Sequence, residues 1–224
     1  MMIKKAKKNK SHQNEMTRER ILDEAEDLFA NKGYHAVSVR EITRAANCNL
    51  AAVNYHFGNK QNLYLEVFRS RWLPRASRLF NNFRKLLKDN GHTSPNAVVE
   101  SLARVFMEGP MSDDERMRHH KLIFGEFAQP TQAFELVADQ VLKPLFTSLM
   151  TDLRAVMPDT TGDKQMALNA FSILAMVLYF NLARPLITRF LDGYDEGDFN
   201  NRLVDHIVEF SVNGIGAGKE EIPK

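Results

Sequence analysis

Apolar residues recur along this 224-residue chain at intervals of three and four, as in Ile21, Ala25, Leu28 and Phe29, and strict alternation is hard to find. That periodicity predicts helices throughout and an all-α fold. The first helix is expected from Thr17 to Asn31, with Gly33 suited to the left-handed position just past its end. Ser38-Val39-Arg40-Glu41 has the form of a capping box and opens a second, short helix. Asn47-Cys48-Asn49 then supplies turn-forming side chains, a third short helix covers Leu50 to Phe57, and Asn59 can cap a fourth that starts at Lys60. The fourth helix runs into the 80s with Pro74 inside it. Proline cannot donate to the Ser70 carbonyl, so a kink and a candidate hinge are expected there. Ser94-Pro95 and Ser112-Asp113-Asp114-Glu115 mark further starts, giving helices over 95–108, 113–128, 131–156, 163–191 and 198–214, with Pro144 and Pro185 as kinks.

Residues 38–57 form one unit: a capped short helix, a polar three-residue turn and a second short helix. This is the layout of a helix-turn-helix, whose second helix enters the major groove of DNA. That helix reads LAAVNYHF. Small side chains at Ala51 and Ala52 let the backbone approach base edges, and Asn49 and Asn54 offer amide donors and acceptors. Tyr55 and His56 can donate to phosphate oxygens, while Val53 and Phe57 are better placed to face inward. Such hairpins occur in many folds, so spacing alone leaves Tyr55 and His56 open as packing residues and Arg40 as a solvated charge.

Charge distribution strengthens the nucleic-acid reading. Residues 1–72 hold 13 Lys/Arg against 8 Asp/Glu, and residues 73–224 hold 17 against 20, behind an overall net charge of +2. One end is therefore built to meet a polyanion and the other is not. Much of the excess lies in the lysine-rich start, which reads equally as a solvated, disordered tail over 1–14.

The stretch ILDEAEDLFANKGYHAVSVREITRAANCNLAAVNYHFGNKQNLY resembles the N-terminal signature of the TetR/AcrR family of transcriptional regulators. The likeness lies in Leu28-Phe29, Gly33-Tyr34, Ser38, Ile42, Ala45-Ala46 and the Tyr55-His56-Phe57 to Lys60 segment. It covers roughly the first third of the chain. The resemblance implies phosphate contacts from Ser38, Arg40, Tyr55, His56 and Lys60, and base contacts from Asn49, Leu50, Ala51 and Ala52. The chain departs from the family pattern at Asn47, where glycine is usual, and at Asn54, where tyrosine is common. Asparagine tolerates positive φ, so the turn is expected to survive.

The resemblance also divides the chain into a DNA-binding domain over 15–62 and a helical effector-binding and dimerisation domain over 63–224. The last two large helices are expected to pair with their symmetry mates. The apolar run Met166–Ile187 approaches the length of a membrane span, but Asn169, Ser172, Asn181 and Arg184 interrupt it, and a helix buried on most of its circumference fits better. The last helix offers Leu203, Ile207, Phe210 and Ser211 on one face. By spacing alone Phe106, Met107, Phe124, Phe127, Phe134 and Met176 are core residues; the resemblance adds a cavity lined by such groups that takes a small hydrophobic effector.

Other classes find less in the sequence. A single cysteine, Cys48, allows no intramolecular disulfide, and no apolar stretch follows the first lysines, so a cytoplasmic protein is expected. Cys48 is read as a small packing residue. Gly-rich phosphate loops, nucleophile elbows and paired catalytic carboxylates are not identifiable, so neither an enzyme nor a cofactor is expected. His119, His120 and Glu126 are metal-ligating types, yet adjacent histidines point to different helix faces, and no metal is expected. The function expected is a homodimeric regulator, a repressor released from a palindromic operator by its effector. An activator or a ligand-independent regulator is the alternative, with a helical enzyme or an adaptor behind them.

Overall fold

A computed structural model describes the backbone of residues 2–158, 160–190 and 196–216, and the side chains of 12–158, 160–190 and 199–216. Among the described residues all regular structure is helical: α1 (Met2–Lys32), α2 (Val39–Ala45), α3 (Leu50–Phe57), α4 (Lys60–Val67), α5 (Leu73–Asp89), α6 (Pro95–Glu108), α7 (Asp113–Ala128), α8 (Gln132–Val137), α9 (Lys143–Val156), α10 (Asp163–Leu182), α11 (Arg184–Phe190) and α12 (Glu196–Gly214). The helix starts follow the capping chemistry. Ser38 Oγ accepts from Glu41 N–H at 3.2 Å, and Ser94 Oγ accepts from Ala97 N–H at 3.2 Å ahead of Pro95. Ser112 and Glu115 close a reciprocal box at 3.3 and 3.4 Å.

The prolines act as the sequence predicts. Ahead of Pro74 the helix widens into a π turn, Phe68–Trp72, in which Leu73 N–H donates to the Phe68 carbonyl. Ahead of Pro144 a second π turn covers Ala138–Leu142, and ahead of Pro185 the chain breaks at Ala183 between α10 and α11. In each case the missing proline donor removes a bond from the regular ladder, and the preceding turn is rewound or ended.

Two features of the chain's organisation lie outside what local pattern predicts. α1 reaches back to Met2, through the segment expected to be a disordered tail. No proline or glycine interrupts residues 2–16, so nothing stops a helix formed further on from propagating backward. The compact units also differ from a boundary at residue 62. The first comprises Met1–Pro74 and Lys121–Val137, the second Arg75–His120 and Ala138–Lys224. The reason is the tertiary packing of α4, whose Leu63, Tyr64 and Val67 are buried and which carries Phe68 behind it.

In the first unit α1 packs on α2, α3 and α4, and α8 on α4. The core is built from Ile21, Leu22, Ala25, Phe29, Ile42, Val53, Phe57, Leu63 and Phe68. Tyr64 is its aromatic centre, with ring centroids 4.8 Å from Phe29, 4.7 Å from Tyr34 and 5.1 Å from Phe68. In the second unit α6 lies against α9, α10 and α12. Leu102, Phe106, Met107, Leu149, Ile173, Val177, Val204 and Ile207 fill the space among them.

α10 is long and apolar enough to cross a membrane by length and composition. The expectation that most of its circumference is covered does not hold within this chain. Met166, Asn169, Ala170, Ile173, Val177 and Asn181 face the core, while Leu168, Phe171 and Tyr179 are more than half exposed. One chain supplies partners for one face only.

Candidate nucleic-acid interface

α2 and α3 present their polar residues outward because their apolar ones are claimed by the core. Val53 is fully buried and Phe57 nearly so, one helical turn apart, and burying a side chain of this size stabilises by about 1.5–3 kcal/mol. That fixes the rotation of α3. Leu50, Ala51, Asn54 and Tyr55 share the opposite, exposed face, with Ala52 and His56 partly covered at its edges. Tyr55 is 74 % exposed. Ser38 and Arg40 are exposed at the start of α2, and Lys60 lies half-buried at the start of α4. All ten predicted DNA-binding residues thus lie at the surface of the first unit.

The turn between the two helices holds Asn47 at φ 47°. Asparagine therefore does what glycine would do there, as its tolerance of the left-handed region predicts. Asn49 has a second role that the sequence reading missed: its Oδ1 accepts from Ala52 N–H at 2.9 Å and caps α3. The cap engages one lone pair of Oδ1 and leaves the amide N–H₂ outside it. Gly58, at φ 77°, ends α3, and Asn59 Oδ1 accepts from Asn62 N–H at 2.8 Å to start α4. The recognition helix is thereby capped at its N-terminus by asparagine and closed by a residue that needs positive φ.

The electrostatics of this surface depend on residues outside the helix-turn-helix. Lys60 Nζ stands 4.4 Å above the Tyr34 ring, and burial lowers its ammonium below the usual lysine range. Tyr34 thus holds Lys60 in place. Arg18 stacks 5.5 Å over the Phe57 ring and is itself fixed to Glu66 at 2.5 Å. Burial first, and the Arg18 charge second, lower His56 and favour its neutral ring. The Glu41 carboxylate binds Lys32 and is held below the usual range mainly by that bond, with the Ser38 backbone N–H adding to it. Tyr34 and Arg18 carry no local signal of these roles, since their partners lie far along the chain. Cys48 is half-buried and burial raises its thiol, as befits a packing residue.

The six residues proposed to line an effector cavity do not come together in one unit. Phe106, Met107 and Met176 belong to the second unit, the first two buried in its core and Met176 packed against it. Phe124, Phe127 and Phe134 belong to the first, as an edge-to-face series with centroids 5.8 and 6.4 Å apart. The physical cause is the division of α7 between the units, which helical spacing cannot reveal. His119 and His120 are buried in the second unit and Glu126 is engaged in the first; no group of three metal-ligating side chains occurs among the described residues.

Comparisons with known proteins agree with this geometry. The family model "Bacterial regulatory proteins, tetR family" matches residues 21–67, and the model of the C-terminal domain of the HTH-type transcriptional dual regulator CecR matches residues 95–215. The chain is 27 % identical over 182 residues to the HTH-type transcriptional dual regulator CecR of Shigella flexneri, covering 77 % of this chain and 79 % of that protein. It is 38 % identical over 63 residues to the HTH-type transcriptional regulator AcrR of Shigella flexneri, 28 % of this chain and 29 % of that one. In fold it resembles a TetR-family transcriptional regulator from Bordetella parapertussis, with a TM-score of 0.64 at 17 % identity over 91 % of this chain and 97 % of the other.

Proposed function

The chain belongs to the TetR family of bacterial regulatory proteins and is a DNA-binding transcriptional regulator; from that premise we propose that it represses transcription in the cytoplasm as a homodimer on a palindromic operator, and that a small, largely apolar effector releases it. The observation that carries the DNA reading is the outward face of α3, with Ala51, Asn54 and Tyr55 exposed on it, and Ser38, Arg40 and Lys60 at the surface of the same unit. Short side chains bring the helix backbone to the groove floor, and the flanking donors set its register on the duplex.

The dimer reading draws support from α10 and α12. Leu168, Phe171, Tyr179 and Phe210 are all more than half exposed, an apolar surface of the kind that obligate interfaces cover. A two-fold dimer places its recognition helices about 34 Å apart, one turn of DNA. Effector release needs a ligand that prefers the state unfit for the operator, and a hundredfold loss of affinity requires about 2.7 kcal/mol of that preference.

A gel shift against the DNA flanking the protein's own gene, at stated salt, tests the reading. A retarded band that specific competitor removes and unrelated DNA does not is expected, together with a dimer in sedimentation. Equal competition by any DNA, or a monomer at micromolar concentration, would sink it.

A further inference from the structure

In the second unit, three polar side chains, Asn181, Arg184 and His120, each end in a buried atom without a partner, and Arg116 adjoins two of them. Asn181, at the end of α10, is 5 % exposed. Its amide nitrogen donates to the Val177 carbonyl at 3.0 Å and approaches Met107 Sδ at 3.5 Å, but its Oδ1 has no partner. Past the break at Ala183, the Arg184 guanidinium lies 5.6 Å from the Phe199 ring, with Nη1 buried and unpartnered. Arg116 on α7 is 9 % exposed and engaged, donating to Asp113 at 2.9 Å and to the Met111 carbonyl at 3.1 Å. His120, one turn on, is 1 % exposed and packs against the Phe106 ring at 6.2 Å.

The roles of these atoms follow from their neighbours. His120 Nδ1 lies 2.7 Å from the Arg116 carbonyl, which can only accept, so Nδ1 carries the proton and the unpartnered Nε2 offers a lone pair. Asn181 Oδ1 is likewise an acceptor, and Arg184 Nη1 is a charged donor. The two guanidiniums act on each other: burial, aided by the like charge of Arg184, lowers Arg116 against the opposing pull of Asp113. Asp113 is mostly solvent-exposed, so it offsets this positive charge only from the edge. A buried polar group without a partner is destabilising, and three such atoms beside a pair of like charges form a cost that a complementary ligand would remove.

We propose that this cluster is the polar end of the effector site, and that it takes a singly charged carboxylic acid with an apolar body and a hydroxyl or N–H donor. The carboxylate accepts from Arg184 Nη1, beside Arg116. The ligand's donor meets His120 Nε2 or Asn181 Oδ1, and the apolar body lies by Phe106 and Met107. Arg184 is the group through which ligand charge is read. This rests on the effector-regulated reading above and narrows its ligand to a class.

Three probes sharing one ring and one hydroxyl separate the charges: 4-hydroxybenzoate, 4-hydroxybenzamide and 4-hydroxybenzylamine. Each is titrated into the full-length protein without DNA, by calorimetry and thermal shift. The acid is expected to bind at least about tenfold more tightly than the amide, a difference of about 1.4 kcal/mol, and the amine not at all. Arg184→Gln is expected to lose that preference for the acid and Arg184→Lys to keep part of it, with circular dichroism and sedimentation confirming that each variant folds. Equal response to all three probes, no response to the acid up to about 10 mM, or undiminished acid binding by a folded Arg184→Gln overturns the proposal. Because no DNA is present, these outcomes are independent of operator binding. If the acid binds but leaves the operator complex intact, the site stands as an anion site and its role as the effector end falls.

Discussion

The Tyr64 hydroxyl donates a 2.6 Å hydrogen bond to Glu126 Oε1, joining α4 to the last turns of α7 inside the first unit. Both side chains are buried, at 4 % and 1 % exposed. The carboxylate is completed by Thr131, whose backbone N–H donates to Oε2 at 2.8 Å and whose hydroxyl lies 3.0–3.1 Å from both oxygens. A buried carboxylate is tolerated where such donors surround it. Lys121–Val137 is thereby fastened to a helix that lies far from it in sequence.

Tyr64→Phe removes one donor and leaves the Glu126 carboxylate under-satisfied. The expected cost is about 1–3 kcal/mol, read as a lower urea midpoint at unchanged slope. Tyr64→Phe combined with Glu126→Gln should recover part of the loss, since the neutral amide is cheaper to bury. A single variant as stable as the wild type would show that the bond contributes nothing net.

Tyr64 also predicts behaviour in alkali. Burial, and then the bond to Glu126, push its phenol far above the ordinary range. The folded state therefore favours the protonated phenol. Its contribution to stability is fully present below the unfolded pKa of about 10 and is lost as pH rises beyond it. In a spectrophotometric titration one tyrosine should ionise only together with alkaline unfolding, and Tyr64→Phe should abolish that phase.

In acid the sensitive groups are His119 and His120, both buried in the second unit. Burial lowers both pKa values, His119 the more strongly, helped there by the neighbouring His120. Each is neutral when folded and protonates on unfolding, so its stabilising contribution is full above the unfolded pKa of about 6.5 and falls as pH drops below it. Unfolding free energies from urea titrations should decline between pH 7.5 and 5.5, by at most about 1.4 kcal/mol per pH unit for each proton taken up. His120→Phe should flatten the decline; a slope that does not change would assign it to other groups.

At the DNA surface, Lys60→Ala should weaken binding to every sequence and reduce the salt slope of log K by about 0.9, the signature of one lost phosphate contact. Tyr34→Leu, which removes the ring beneath Lys60 Nζ, should weaken binding less and leave the slope nearly intact. If Lys60→Ala leaves the slope unaltered, Lys60 does not reach phosphate.

Asn49 and Ala51 separate recognition from folding. Asn49→Ala should cost about 1 kcal/mol of stability through the lost cap, whereas Asn49→Ser keeps a cap and tests the base contact alone. Ala51→Leu, at an exposed position, should leave the melting temperature near its wild-type value while holding the helix away from the groove floor. Operator affinity should fall with non-specific binding preserved. Unchanged operator preference in both Asn49→Ser and Ala51→Leu would remove these positions from the reading surface.

The sequence by itself determined what depends on near neighbours. Ser38, Asn59, Ser94 and Ser112 announce helix starts because a cap acts within three residues, and Pro74, Pro144 and Pro185 announce irregularities because a missing N–H acts within one turn. The 3.6-residue period placed Val53 and Phe57 inward, and with them the outward face of α3. What only the tertiary structure decided lies at long range. The Lys60–Tyr34 and Arg18–Phe57 stackings, the Tyr64–Glu126 bond and the assignment of Lys121–Val137 to the first unit join residues whose separation along the chain leaves no periodic trace. The same holds for the residues expected to line a cavity. Helical spacing shows that Phe106, Met107, Phe124 and Phe134 are apolar, but which unit each packs into depends on how distant helices meet, and that is settled by three-dimensional packing rather than by local pattern.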